Sequence, residues 1–159
     1  MIVLMSTATK KVLTLVIIHT SVAVLLGYKK RGFGMGRWNG FGGKVEAGES
    51  IEDAATRECV EEAGVTPIAL ASCGVLTFVF DGDPVLLEVH LFRASQFRGE
   101  PRESDEMRPQ WFPLADIPYA TMWPDDRYWL PYVLEGKTVD GTFSFSDPQT
   151  IRTHTLSWT

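Results

Sequence analysis

The chain of 159 residues carries 15 Lys and Arg against 20 Asp and Glu, a formal charge of −5, with 45% hydrophobic and 22% charged residues. That size and balance describe one ordinary globular domain and exclude a disordered or fibrous chain. The acidic total excludes a general binder of polymeric nucleic acid, whose affinity rests on basic contacts to phosphate, and the longest apolar run, Val12 to Ile18, is too short to span a bilayer.

Taken in chain order, residues 1–11 carry no usable pattern and are expected to form an N-terminal extension to a single domain over 12–159. Met1 to Met5 lacks the length and charged flank of a signal peptide, and no arginine precedes Arg31 to suggest a mitochondrial presequence. The cytosol is the default location, with a mitochondrial or nuclear pool as the alternative. Val12 to Ile18 and Val22 to Tyr28 are β-branched and apolar and predict two strands around the turn His19-Thr20-Ser21. Arg31 to Gly43 reads as a loop. Ser50 to Ala63 predicts a helix that ends at Gly64. Val75 to Phe80 and Val85 to Phe92 predict a hairpin across Asp81-Gly82-Asp83-Pro84. Met107 to Phe112 predicts a short strand, Asp125 to Leu134 a helix with Pro124 near its start, and Thr138 to Phe145 and Thr150 to Leu156 two terminal strands. Strands outnumber helices and are joined by tight turns, which points to an α+β domain with a mixed sheet and helices packed on it. Cys59 and Cys73 are read as two reduced, buried thiols rather than a disulfide or zinc framework.

The charges are unevenly placed. Lys29 to Lys44 holds five cations and no acid, and seven of the 14 glycines fall between Gly32 and Gly48. Glycine lets a backbone bend freely and approach a ligand closely. Composition alone favours a solvated loop over a phosphate-binding one, and no Walker pattern is present, because Gly43-Lys44 is followed by Val45. The predicted helix changes this balance. Ser50 can cap it, and Glu58, Glu61 and Glu62 share one face. At about 100° per residue, Ile51, Ala54, Ala55 and Cys59 point one way. Glu58 and Glu62 project almost the same way, and Glu61 sits at the margin. Glu52, Asp53, Thr56 and Val60 take the outward side. The glutamates are therefore expected to face the protein body. Carboxylates crowded there need cationic compensation beyond Arg57, and hard divalent cations supply it through oxygen.

The spacing of Gly43, Glu49, Arg57-Glu58-Cys59, Glu61-Glu62 and Gly64-Val65 resembles the signature of the Nudix hydrolases, which cleave nucleoside diphosphates linked to another moiety. Cys59 departs from the larger aliphatic residue usual in that family. The resemblance implies a mixed sheet packed between helices in an α/β/α sandwich. It implies Mg²⁺, with Mn²⁺ as a substitute, held by Glu58, Glu61, Glu62 and the Gly42 carbonyl, with Glu106 as a further carboxylate. It implies that Glu49 and Arg57 pair to hold the loop to the helix, and that one carboxylate serves as general base without saying which.

The likeness extends to Arg31-Gly32-Phe33-Gly34, the run Arg37 to Lys44, the run Glu103 to Pro109, Met122-Trp123-Pro124-Asp125-Asp126 and Tyr128-Trp129, and so covers about Val12 to Leu156. These motifs are similar to the branch of the family that acts on oxidised purine nucleoside triphosphates. They imply cleavage of 8-oxo-dGTP or 2-hydroxy-dATP to the monophosphate and pyrophosphate by a monomer that takes a small nucleotide, with no polymeric nucleic acid or membrane as partner. Trp123 offers a stacking face, with core packing as its alternative. Asp125 and Asp126 are adjacent acids beside it. Like-charge repulsion would keep one of them protonated, so that moving the proton between them would let one pocket read either damaged purine. By the resemblance, Asn39 adds an amide to the base edge, and Thr14 and Lys29 lie near the nucleotide. Phe41, Gly42, Gly43, Lys44 and Pro124 complete the substrate motifs, and Phe33, Phe78, Met107 and Trp129 line the pocket. One alternative is another Nudix substrate, such as a methylated purine nucleotide or a dinucleoside polyphosphate; Trp123-Pro124-Asp125-Asp126 and Asn39 argue against the latter. The other is a domain that binds nucleotides or RNA without cleaving them, and the retained Arg57, Glu58, Glu61 and Glu62 argue against it. His19, His90 and His154 fit no metal or triad pattern.

Overall fold

The computed structural model describes residues 9–159, so residues 1–8 of the expected extension lie outside the described residues. Strand β1 (Thr9–His19) begins before Val12, because Thr9, Lys10 and Lys11 pair with Val85, Leu86 and Leu87. A partner strand recruits these polar residues into a ladder that hydrophobic patterning alone does not announce. Residues 9–11 of the expected extension thus belong to β1.

Strands β2 (Ala23–Lys29), β3 (Trp38–Asn39), β4 (Thr66–Ile68), β5 (Ala71–Phe80), β6 (Val85–Ala94), β7 (Gln96–Arg98), β8 (Met107–Pro113), β9 (Val139–Asp147) and β10 (Thr150–Trp158) accompany helices α1 (Ile51–Ala63) and α2 (Asp126–Leu134). The main sheet runs β10-β9-β5-β6-β1-β2-β3, with β8 also paired to β2, while β4 and β7 form a separate ribbon. It is mixed: β1 runs parallel to β6 and β5 parallel to β9, and the other pairs are antiparallel. The hairpin of β5 and β6 forms as expected. β5 starts at Ala71 rather than Val75 because a register shift between Ser72 and Gly74 breaks the alternation that marks a strand.

β1 and β2 pair only beside their turn, at Ile18↔Leu25 and His19↔Val24. Beyond that point they part, and the glycine-rich segment enters the gap. Asn39 and Trp38 pair with Gly27 and Tyr28 of β2. On its other side the segment bonds to β1: Val16 N–H donates to the Phe41 carbonyl (2.7 Å), Thr14 N–H to Gly43 (2.9 Å) and Val45 N–H to Val12 (3.1 Å). What reads as a loop is thus a wedge within the sheet.

Alternation along β1 sends its side chains to two cores. Val16 and Ile18 join Leu25, Phe41, Cys59 and Phe92 beneath α1. Ile17 joins Leu76, Leu91, Trp129, Leu130 and Phe143 beneath α2. Helices therefore cover both faces, as the expected sandwich requires. α1 sits close because its inward face is small (Ala54, Ala55, Cys59 and Ala63), which gives Cys59 a packing role. Ser50 Oγ accepts the Asp53 N–H (3.1 Å) to start the helix, and Gly64, at φ 70°, ends it in the left-handed conformation. Both cysteines are free and buried. Among the described residues, no helix is long and apolar enough to cross a membrane.

Candidate active site

α1 turns its carboxylates as its periodicity predicts. Glu62 is only 2% exposed, Glu58 is half-buried and Glu61 lies at the exposed margin, 59% open at its side chain. Thr56, expected outward, is half-buried. Arg57 is the hub. Its Nε and Nη2 donate to the two Glu49 oxygens at 2.8 Å each, Nη1 donates to Glu58 (2.8 Å) and Glu61 (3.4 Å), and Nη2 reaches the Lys44 carbonyl (3.0 Å). This bidentate pair ties the glycine-rich segment to the helix. The Arg57 guanidinium, with the Glu46 N–H, holds the Glu49 carboxyl down to about 2.

Glu62 has less compensation. It accepts the Gly42 N–H (2.8 Å) and lies 3.8 Å from the Lys29 ammonium. Burial nevertheless lifts its carboxyl to about 8 and also raises Glu58. Glu106 sits across Lys29, 3.3 Å from its ammonium and 3.6 Å from Arg31. Burial pushes the Glu106 carboxyl up, but these two cations outweigh it and bring it below its ordinary value. Its loop is fixed to α1 by Ser104, whose hydroxyl donates to the Glu62 carbonyl (2.8 Å) and accepts the N–H groups of Glu106 and Met107. The sequence reading gave Ser104 no role, although a serine two residues before the acid is a turn signal.

Two observations fit these groups to a metal ion. The donors are all oxygen, which suits a hard divalent cation. The glycine-rich backbone also passes against the glutamates so closely that a Cβ on Gly43 would lie 2.6 Å from a Glu58 oxygen. Among the described residues no three acidic, His or Cys side chains converge on one point, because Glu58 and Glu61 turn to Arg57, and Glu106 to Lys29 and Arg31. The carboxylates are shown in their cation-paired arrangement.

Beside them opens a cavity of about 650 Å³. Glu62 forms part of its wall together with Thr14, Lys29, Gly42, Gly43 and Lys44, and Asn39, Phe33, Phe78, Met107 and Trp129 line it too. At its floor Asp125 and Asp126 are buried to 2% and 3% exposure. Trp129 Nε1–H donates to Asp125 (2.8 Å), whereas the Oδ2 of Asp126 has no hydrogen-bond partner. Burial raises both carboxyls, and for Asp126 the neighbouring Asp125 raises it further. Trp123 also lines the cavity, with the Phe33 ring 4.9 Å away.

Two expected members are elsewhere. Phe41 is fully buried beneath α1, because strand alternation turns its ring away from the cavity. Pro124 faces a separate groove with Tyr119 and Arg127, since the chain must turn there to bring the aspartates inward. Glu49, Glu58, Glu61 and Glu106 stand outside the cavity wall, around its Glu62 side. Leu13, Leu15, Phe80 and Leu87 line the cavity without having been foreseen; alternation along β1, β5 and β6 was their only sequence signal.

A family model described as NUDIX domain matches residues 6–133. The chain is 52% identical over 149 residues to an oxidized purine nucleoside triphosphate hydrolase of Mus musculus, covering 94% of this chain and 96% of that one. It is 52% identical over 148 residues to the protein of the same description in Danio rerio, covering 93% and 95%. Among solved structures, a mutator MutT protein from Bacillus halodurans superposes with a TM-score of 0.82 at 28% identity, covering 92% of this chain and 97% of that one.

Proposed function

The chain belongs to the Nudix family, and from that premise we propose that it is a pyrophosphohydrolase of oxidised purine nucleoside triphosphates. Its substrates are 8-oxo-dGTP and 2-hydroxy-dATP, cut to the monophosphate and pyrophosphate with Mg²⁺, or Mn²⁺ in its place. Nudix hydrolases generally need a divalent metal. The observation that carries the reading is one cavity with the buried Asp125–Asp126 pair and Trp129 at its floor and Glu62, Lys29 and Gly42 in its wall. The two relatives named for oxidised purine nucleotides support it.

The roles follow from the chemistry of each group. Asp125 and Asp126 share a proton, so one donates to the base edge while the other accepts. Asn39 Oδ1 accepts the Gly40 N–H (2.9 Å), which leaves its amide N–H₂ to donate to the base. Phe33, Phe78 and Trp123 supply aromatic surface, worth about 1–3 kcal/mol per stacked base. Lys29 and Lys44 face the phosphates. Glu58, Glu61, Glu62 and Glu106, with the Gly42 carbonyl, would hold the metal ion. When bound, the ion neutralises phosphate charge and lowers the pKa of water. One of the carboxylates takes a proton from the attacking water, and Arg57 holds Glu58 and Glu49 in place for this.

Pyrophosphate release from 8-oxo-dGTP, 2-hydroxy-dATP, dGTP and a dinucleoside polyphosphate, with and without Mg²⁺, tests the proposal. The oxidised purines should be turned over fastest and only with metal. Binding without turnover of any of the four would replace the enzyme by a binding module.

A further inference from the structure

Arg37 has so far been given no role of its own, yet three structural elements meet on it. Its guanidinium carbon is 4.1 Å from the centre of the Trp123 ring. Its Nη2 donates to the Pro148 carbonyl at the turn between β9 and β10 (2.9 Å). Its own backbone is fixed beside β2, since its carbonyl accepts the Lys29 N–H (2.9 Å). Among the described residues, the buried side-chain polar atoms without a hydrogen-bond partner are its Nη1 and the Oδ2 of Asp126. One is a charged donor and the other an acceptor.

We propose that Arg37 is a positioning residue of the purine pocket: it backs the Trp123 ring, pins that ring to the β9–β10 turn, and sets the charge felt by the Asp125–Asp126 pair. This rests on reading the cavity as a purine site. A guanidinium suits the task, because its plane can lie on an aromatic face while its edge still donates. Methionine keeps the length and the apolar contact but removes both the charge and the donor. Lysine keeps the charge but loses the planar stack and the fork.

The pair is surrounded by identifiable groups. Arg37 faces it from the glycine-rich segment and Trp129 Nε1–H from α2. The Tyr119 phenol feels Asp126 from the preceding 3-10 turn, and Glu62 and Lys29 line the same cavity from α1 and β2. Burial pushes both aspartates up, and Arg37 is the cation that opposes it. Without its charge, both should hold protons to higher pH.

The test compares Arg37→Met and Arg37→Lys with the wild type in two measurements. One is steady-state hydrolysis of 8-oxo-dGTP and 2-hydroxy-dATP across pH. The other is an NMR titration of the two aspartate carboxyls in metal-free, substrate-free protein. Arg37→Met should raise KM about tenfold with kcat within about twofold, the pattern of lost ground-state positioning, and should move both titrations to higher pH. Arg37→Lys should leave the titrations in place and raise KM. Wild-type KM and titrations in Arg37→Met overturn the inference. If that variant does not fold, an unchanged KM in Arg37→Lys overturns it instead. If the wild type fails to hydrolyse purine triphosphates, the functional reading falls, while the carboxyl titrations still decide the role of Arg37.

Discussion

Replacing Glu62 by glutamine should stabilise the metal-free protein at alkaline pH and inactivate it at every pH. Glu62 is 2% exposed, and burial raises its carboxyl from the ordinary 4.5 to about 8 even with the Gly42 N–H and Lys29 beside it. The folded chain thus holds a proton that the unfolded chain has released. Stability must fall as pH climbs from the unfolded value through the folded one. At ~1.4 kcal/mol per unit, the loss between about pH 5 and about pH 8.5 comes to roughly 4 kcal/mol. Glutamine never ionises and still accepts the Gly42 N–H. The assay is urea denaturation of both proteins after chelation, repeated across this range. The stability difference should be near zero at the acid end and grow by several kcal/mol at the alkaline end, and adding Mg²⁺ should narrow it by stabilising the wild type alone. A difference that stays flat with pH would refute the reasoning, because Glu62 would then be solvated or fully compensated.

Adjacent glycines should respond in opposite ways. A Cβ on Gly42 meets the Thr14 carbonyl oxygen at 1.9 Å, so Gly42→Ala should lower stability by roughly 3 kcal/mol or more in denaturant titration. The three atoms nearest a Cβ on Gly43 are all the carboxylate end of Glu58, a side chain and not backbone, so Gly43→Ala should fold normally yet lose about 10²-fold in kcat through a misplaced carboxylate. Arg57→Met should lower kcat comparably, and metal titration should show weaker binding, since Glu49 and Glu58 lose their shared donor. Asp126→Asn should raise thermal stability at neutral pH and match the wild type in acid, because the raised folded carboxyl contributes stability that disappears as pH rises. It should also change the ratio of rates on the two oxidised purines. Trp129→Phe leaves Asp125 without its indole donor and should cost about 1–3 kcal/mol.

The sequence was most legible where period and charge coincided. The inward turn of Glu58 and Glu62 followed from helical spacing against Ala54, Ala55 and Cys59, and the hairpin of β5 and β6 from its Asp-Gly turn. β3, β4 and β7, of two or three residues each, carry no period to detect and exist only through their partners. Phe41 was assigned to the cavity by its neighbours in the motif, whereas the β bridge to Val16 decides which way its ring points. Pro124 lines a separate groove for the same reason: adjacency in sequence places the backbone, not the side chain. Arg37 was visible as a charge, but its contact with Trp123 depends on a turn more than a hundred positions away.

The wedge between β1 and β2 bears on time and entropy as well as shape. A segment with this many glycines would ordinarily lose much configurational freedom when a polyanion orders it. Here the amides of Thr14, Val16, Phe41 and Val45 are already bonded across the sheet, so their hydrogen exchange should be as slow as that of the central strands. This stretch, residues 41–45, is therefore ordered by the fold itself, which leaves it less configurational freedom to lose on binding and more of the contact energy for affinity.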